Sequence, residues 1–406
     1  MVKLKRNLLS VALMSAMTLS ATGAFAQSVE ETKEEKDKKE AVELETVTVT
    51  GIRRGIENAI ETKRESTSIV ETISAEDIGK LPDISIAESL ARLPGLTAQR
   101  VAGRATNINI RGLPDSFGTT LLNGREQVST GDNRGVEFDQ YPSELIGAVV
   151  VHKTTSASLI GQGLSGTVDL QTVRPLAFGE RVVSVNVRGE HNSLGPVNPG
   201  MTAYGSRISA SYVDQFMDGR LGVALGFARL DSPGQSNRWE SWGYPTGTVN
   251  GQDDIFLPGG TKSIASSTEN VRNGYMAVVE FKPNDNWSSV LDLYYSKFER
   301  EETSRFIEVG LGWGGFDNGS GYAGAQLSNA VVQNGVVVSG TYSGVKPVVR
   351  NDLNTRSDDI TAFGWNNKFN LGEAWVLDTD ISYSKADRKE MILETYSGTS
   401  RLGATG

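Results

Sequence analysis

The stretch that decides the fold is NGYMAVVEFKPNDNWSSVLDLYYSKF, residues Asn273–Phe298. Tyr275, Ala277, Val279 and Phe281 take alternate positions, and Glu280 and Lys282 fall between them. After the polar break 282–286 the alternation resumes. Trp287, Ser289, Leu291, Leu293 and Tyr295 share one parity and Asp292 has the other. Period-2 alternation places apolar and polar residues on opposite faces of a strand. Two such runs joined by a short polar break make a hairpin.

Working outward, the pattern recurs. Val183, Val185 and Val187 alternate with polar residues, and so do Tyr204, Ile208, Ala210 and Tyr212 in MTAYGSRISASYVD. Leu221, Val223, Leu225 and Phe227 follow, then Phe363, Trp365, Phe369 and Leu371, then Trp375, Leu377, Ile381 and Tyr383. Lys368, Asp378 and Asp380 lie on the opposite faces. The connections alternate between very short (282–286, 372–374) and very long (231–270, 301–358). Long antiparallel strands with that asymmetry read as an outer-membrane β-barrel, apolar side outward. Trp287 and Trp375 lie just past short turns, where an interfacial aromatic girdle belongs. A soluble β-sandwich also alternates, but strand length, aromatics at both strand ends and long loops on one side only favour the barrel. The count is seven strands over 179–406. Bacterial single-chain barrels use an even number, and an open edge in lipid leaves unpaired backbone groups. With an ending at SRLGATG, partway into a loop, the expectation is the N-terminal part of a longer protein.

The bulk numbers agree. The 406 residues carry 45 glycines, which favour turns and strands over packed helices, and a formal charge of -9, which argues against a nucleic-acid partner. With no cysteine there is no disulfide framework, thiolate metal site or cysteine nucleophile. Residues 1–26 read as a secretory signal peptide: Lys3, Lys5 and Arg6, then the short apolar LLSVALMSAMTLSATG, then Ala24-Phe25-Ala26. A membrane anchor would need a longer apolar run. Residues 27–45 are a charged tether that cannot bury enough area to offset its ordering entropy.

Between tether and strands, residues 52–178 read as a compact α+β domain. Ser74-Ala75-Glu76-Asp77 fits a capping box. PDISIAESLARLPGL reads as a second helix capped by Asp83 or Ser85, with Ile86, Leu90 and Leu93 inward and Pro94-Gly95 as its stop. TNINIRG, TTLLNGR, GAVVVHKT and GTVDLQTV are short strands, and Asn123-Gly124 is a turn.

These pieces, in this order, resemble a TonB-dependent outer-membrane receptor. ETVTVTGIRR resembles the TonB box, here residues 46–51. SAEDIGKLPDISIAESLARLPGL is similar to the family's early plug helices, and NINIRGL and TLLNGR to its plug strands. ELIGAVVVHKTTSASLIGQGLSGTVDLQTVRP is similar to its last plug strands. VHKTTSASLIGQGLSG departs from the siderophore-receptor pattern and looks like a proteobacterial subgroup often linked to oligosaccharide uptake. The resemblance implies a transmembrane antiparallel β-barrel of about 22 strands, of which roughly seven are present, with an N-terminal plug. It implies residence in the outer membrane among lipid, plug and tether facing the periplasm. The implied partners are TonB and a small-molecule or oligosaccharide ligand, with no cofactor or metal. The tether is too short to hold a folded signalling domain before the box, so none is expected there.

The residues then take roles. Thr46, Val47, Thr48, Val49 and Thr50 can add as a strand to TonB's sheet, a reversible grip at roughly 1 kcal/mol net per backbone bond. A plug that must move calls for hydrated polar contacts, because apolar contact would stick at about 25 cal/mol per Å2. Arg100, Arg104, Arg111, Arg125 and Arg134 on the plug, with Asp292, Asp378 and Asp380 on the wall, are read as that contact; Arg104 is read chiefly as a ligand contact. The acids binding a cationic ligand is the competing reading. Ligand candidates are Arg104, Asp115 and Phe117 on plug loops and Trp239, Trp242 and Tyr244 on the first long loop, beside Asn237, Glu240 and Asp253. Flat aromatic faces beside carboxylates suit sugars, although such aromatics also serve as rim or loop packing; Trp313 is a weaker candidate. The cargo stays open between an oligosaccharide, a ferric siderophore and a cobalamin-like or peptide ligand. A passive porin would lack handle and plug. Gly161–Gly166 matches G-x-G-x-x-G but precedes a strand rather than a helix, so it is not a dinucleotide site. His152 and His191 have no triad or metal partners in the sequence pattern, and enzymatic activity has no support.

Overall fold

The computed structural model describes residues 60–74, 85–101, 104–157, 159, 161–178, 181–312 and 325–398. The signal peptide, tether, TonB box, Ala75–Asp77, Asp83 and Trp313 lie outside them. Among the described residues no helix is long and apolar enough to cross a membrane, which says nothing of strands.

The N-terminal domain is built on a five-stranded sheet, β1 (Val70–Ser74), β4 (Gly118–Leu122), β5 (Arg125–Glu126), β6 (Ile146–His152) and β7 (Gly166–Thr172), in the order β1-β6-β7-β4-β5. β4 and β7 run parallel and the other pairs antiparallel. The Val149-Val150-Val151 run of β6 is buried throughout, as a strand covered on both faces requires. A separate hairpin, β2 (Leu96–Val101) and β3 (Arg104–Ile110), packs with a short helix, Ile86–Leu90. Ser85 stands at the cap position of that helix but does not cap it; its hydroxyl donates to the Ala105 carbonyl at 2.8 Å instead. Asn123 and Gly124 turn β4 into β5 with φ of 54° and 78°, the left-handed pair a tight hairpin needs.

The second region is a seven-stranded antiparallel sheet: β8 (Val182–His191), β9 (Tyr204–Phe216), β10 (Leu221–Ser241), β13 (Gly260–Asn284), β14 (Trp287–Gly310), β17 (Pro347–Asn370) and β18 (Val376–Gly398), each beside its sequence neighbour among these seven. Its polarity is that of a barrel wall. Val185, Leu225, Tyr275, Leu293 and Tyr383 are exposed on one face, while Ala224, Val278, Asp292 and Tyr294 are buried on the other.

The long connections differ from expectation. β10 continues to Ser241 and β13 starts at Gly260, so most of 231–270 is strand that extends the hairpin. Above it, β11 (Thr246–Val249), β12 (Gln252–Phe256), β15 (Gln326–Gln333) and β16 (Val336–Ser343) form a small sheet in the order β11-β12-β16-β15, joining the two long connections through Phe256 and Val336. Polar, glycine-rich sequence masks such strands because only some of their residues are buried.

Candidate functional site

The N-terminal domain is held against the inner face of the wall. Arg125, delivered by the Asn123-Gly124 turn, donates through Nη1 to Asp292 at 2.6 Å and through Nη2 and Nε to Asp380 at 2.8 and 2.9 Å. Arg174 takes the other Asp292 oxygen at 2.7 Å. Gly364 makes room for this clamp, since a Cβ there would lie 2.3 Å from Arg125 Nη1. Burial disfavours the Arg125 charge, but the hydrogen bonds and charges of the two aspartates outweigh it and raise the guanidinium above its ordinary value.

A second contact, which sequence reasoning missed, is the segment 137–146. Arg272 of the wall donates to the Asp139 and Tyr141 carbonyls, while Tyr294 and Ser296 both donate to the Gln140 carbonyl, at 3.0 and 2.8 Å. Gln140 donates to Asp358 at 3.0 Å, and Arg356 bridges Glu137 and Asp358. Tyr141 stacks on Tyr294 with centroids 5.2 Å apart. Pro142 fills the space over Gly274 and Leu145 that over Gly226. The seam is therefore apolar as well as polar, against the expectation of a purely hydrated contact. Tyr294, Ile360 and Ala362 of the wall share one buried core with the domain. The signal that could have found this segment is FDQYPSEL itself, whose Tyr141 meets Tyr294, Pro142 meets Gly274 and Leu145 meets Gly226.

Glu137 and Asp139 also face a cavity of about 240 Å3 above the seam, with Arg104 from β3 and Glu190, Ser232, Asn270 and Arg356 from the wall. Burial raises the Asp139 carboxyl, against the opposing charge of Arg104 at 3.0 Å. For Glu137 burial also raises the pKa, but the Arg356 hydrogen bond and charge prevail and hold it below the usual carboxylate range.

The other singled-out residues sort as follows. Arg100 pairs with Glu88 of its own domain at 3.1 Å rather than with the wall. Arg111 is an exposed turn residue with φ 56° whose N–H donates to the Gly95 carbonyl. Arg134 donates to Gln162 within the domain. Asp378 accepts from Asn366 of the neighbouring strand at 2.8 Å, so it braces the wall rather than the seam. Asp115 accepts from Asn107 at 2.6 Å in the turn Asp115–Phe117, and Phe117 is exposed. Trp239 lies within β10, not on a loop, with the outward parity of Leu225 and Phe227. Trp242 turns the other way, its ring 5.5 Å from Lys262 Nζ, and Lys262 pairs with buried Glu308. Tyr244 is exposed. The structure thus gathers Arg125, Asp292 and Asp380, places Arg104 at the cavity, and brings neither Asp115 and Phe117 nor Trp239, Trp242 and Tyr244 into it.

A strand wall that is apolar outside and grips a separate α+β domain inside defines a plugged outer-membrane barrel. Residues 62–168 match the family model described as TonB-dependent Receptor Plug Domain. Residues 62–168 are therefore a plug domain of the kind found in TonB-dependent receptors of the bacterial outer membrane, and the strands after it are arranged as part of a barrel wall. No curated protein sequence matches it. Among solved structures, it is similar to the siderophore receptor PirA from Pseudomonas aeruginosa at 13% identity, covering 80% of this chain and 60% of that one, with a TM-score of 0.33. The unliganded ferric citrate transporter FecA matches at 13% identity, with 83% and 60% covered and a TM-score of 0.35. The ferric enterobactin receptor PfeA from Pseudomonas aeruginosa, in its R480A form with enterobactin, matches at 11%, with 82% and 60% covered and a TM-score of 0.39. The chain spans about 60% of the length of these structures.

Proposed function

We propose that this chain belongs to a receptor that imports a ligand across the outer membrane, opened by a pull from TonB on Thr46, Val47, Thr48, Val49 and Thr50. The observation that carries the reading is the plug's mechanical layout. Arg125 fixes one edge of the plug sheet to Asp292 and Asp380, while the opposite edge is β1, the strand nearest the N-terminus. Force entering at the N-terminus meets the β1 edge first and the clamped edge last. The segment 46–51 is the handle, 27–45 the tether, 52–178 the plug and 179–406 the wall. The role is transport rather than catalysis.

The cavity's chemistry supports one ligand class over another. Its described arginines are engaged, Arg104 with Asp139, Arg300 with Glu302, and Arg356 with Glu137 and Asp358. An anionic ferric siderophore, the alternative ligand, would have to break those pairs, whereas hydroxyls can join them. That favours an oligosaccharide, with Trp242 and Tyr244 on its approach.

Val47→Pro removes a ladder donor and should abolish uptake in cells while ligand binding by the full-length protein is unchanged. Normal uptake by that variant would sink the reading.

A further inference from the structure

The inner face of the wall is not uniform. Along β10 four successive inward residues, Gly222, Ala224, Gly226 and Ala228, have no atom beyond Cβ, and Ala224 and Ala228 are buried. Their neighbours on β9 are Val213 beside Ala224, Ser211 beside Gly226 and Ser209 beside Ala228. On β8 the same rows continue with Val182, Ser184 and Asn186. Residues opposite one another share a face, so above the Val182–Val213 row this side presents glycine, alanine, serine and asparagine to the lumen. Ser184 and Asn186 are exposed, and Ser209 and Ser211 half-buried.

The field is continuous with the cavity. One step up lie Arg188, Arg207 and Leu230 in one row, and above them Glu190 accepts from Ser232 at 2.8 Å, both lining the cavity. Asp139, only 4% exposed, faces the same cavity, and its Oδ1 has no hydrogen-bond partner among the described residues. Below the field, Arg181 pairs with Asp214 at 2.7 Å at the foot of the wall.

Leu145 and Leu176 of the plug cover the β10 glycines, with Val173 beside them. Leu145 sits over Gly226 and Leu176 over Gly222, where an added Cβ would lie 2.5 and 2.9 Å from them. Leu145 belongs to a small buried cluster with Val213, Ala224, Ala228, Met276 and Val278, against which Val173 of the plug and Val182 of β8 pack. The other side is sealed far more heavily: Tyr294, Ile360 and Ala362 lie within the plug's main core, beside the Arg125 clamp. Lifting the plug from β14 and β17 opens that core, whereas lifting it from β9 and β10 withdraws Leu145, Leu176 and Val173 and breaks the Gln215 hydrogen bonds to the Pro175 and Leu176 carbonyls.

We propose that a hydrophilic, hydroxyl- or amide-bearing cargo crosses along the inner faces of β8, β9 and β10, from the Asp139 cavity past Asn186, Ser209 and Ser211, when Leu145 and Leu176 withdraw and the β14–β17 side stays sealed. This rests on the TonB-driven reading above.

These 406 residues hold no cysteine, so each substitution adds the one thiol of this region, and its labelling is read against the unsubstituted full-length protein. Ala228→Cys and Ser209→Cys mark the lane, the second at a half-buried site that tolerates change; Ala362→Cys marks the sealed side. Cells making each full-length variant are treated with a membrane-impermeant maleimide, with and without functional TonB. The expected result is labelling at both lane sites about tenfold faster than at the Ala362→Cys site, as local opening without global release requires, and only with functional TonB. Equal or faster labelling at the Ala362→Cys site, or none at the lane sites, overturns the lane. Lane labelling that ignores TonB keeps the lane and removes the pull.

Discussion

Arg125 Nη1 lies 2.6 Å from Asp292, and both side chains are more than nine-tenths buried. Asp292 is also held by Arg174, so one wall carboxylate ties down two points of the plug. Removing one member of a buried pair strands the other, at about 3–5 kcal/mol. Arg125→Ala should therefore loosen the plug by about that amount, read as faster proteolysis of the plug in the folded receptor. Asp380→Asn should do less, because Asp380 is partly exposed and Arg125 keeps Asp292. An Arg125→Ala plug as resistant as the native one would remove the clamp from the account.

The wall glycines under the seam make a separate prediction. A Cβ at Gly274 would lie 2.3 Å from Pro142 Cγ, and Pro142 is held by the clasped segment on both sides. Overpacking of this kind costs about 1–3 kcal/mol. Gly274→Val should lower the yield of seated plug in purified receptor, while Gly189→Val, in open space on β8, should leave it unchanged.

Acid should loosen the clasp. Glu137 is held below its ordinary value of 4.5, so its pairing with Arg356 is fully present above pH 4.5 and is lost as pH falls through the folded value. Asp139, raised by burial, works in the opposite direction, since protonation relieves it. Plug protease resistance should fall as pH drops below 4.5, by less than the Glu137 contribution alone because of Asp139. Glu137→Gln should start looser at neutral pH and vary less with acid. Identical acid profiles for the two proteins would exclude Glu137 as the responsive group.

Much of this architecture was readable from residues. Alternation over 273–298 gave the β13–β14 hairpin, because a sheet with lipid outside and a plug inside imposes period 2 on every strand. Asn123-Gly124 gave the turn that delivers Arg125, because few dipeptides tolerate two positive φ angles. What stayed hidden depended on cross-chain geometry. The even spacing of Gly222, Ala224, Gly226 and Ala228 looks like weak strand sequence until Leu145 and Leu176 are seen against it. Arg100 and Arg125 are both plug arginines in sequence, and only the fold sends one to Glu88 and the other to the wall. The upper strand extensions were missed because residues such as Ser266 and Ser267 carry no apolar alternation.

The aromatic candidates separate by the same parity argument. Trp239 shares the outward face of β10 with Leu225 and Phe227, whereas Trp242 folds back beside Lys262 and, through it, Glu308. A ligand descending the lumen can stack on the second and not on the first. An aromatic face contributes about 0.5–1.5 kcal/mol beyond its area, so Trp242→Ala should weaken binding up to about tenfold. Trp239→Ala should leave it within error. The measurement is calorimetry on the full-length receptor with maltohexaose, chitohexaose and ferric citrate. If Trp239→Ala weakens binding and Trp242→Ala does not, the entry route lies outside the lumen-facing wall.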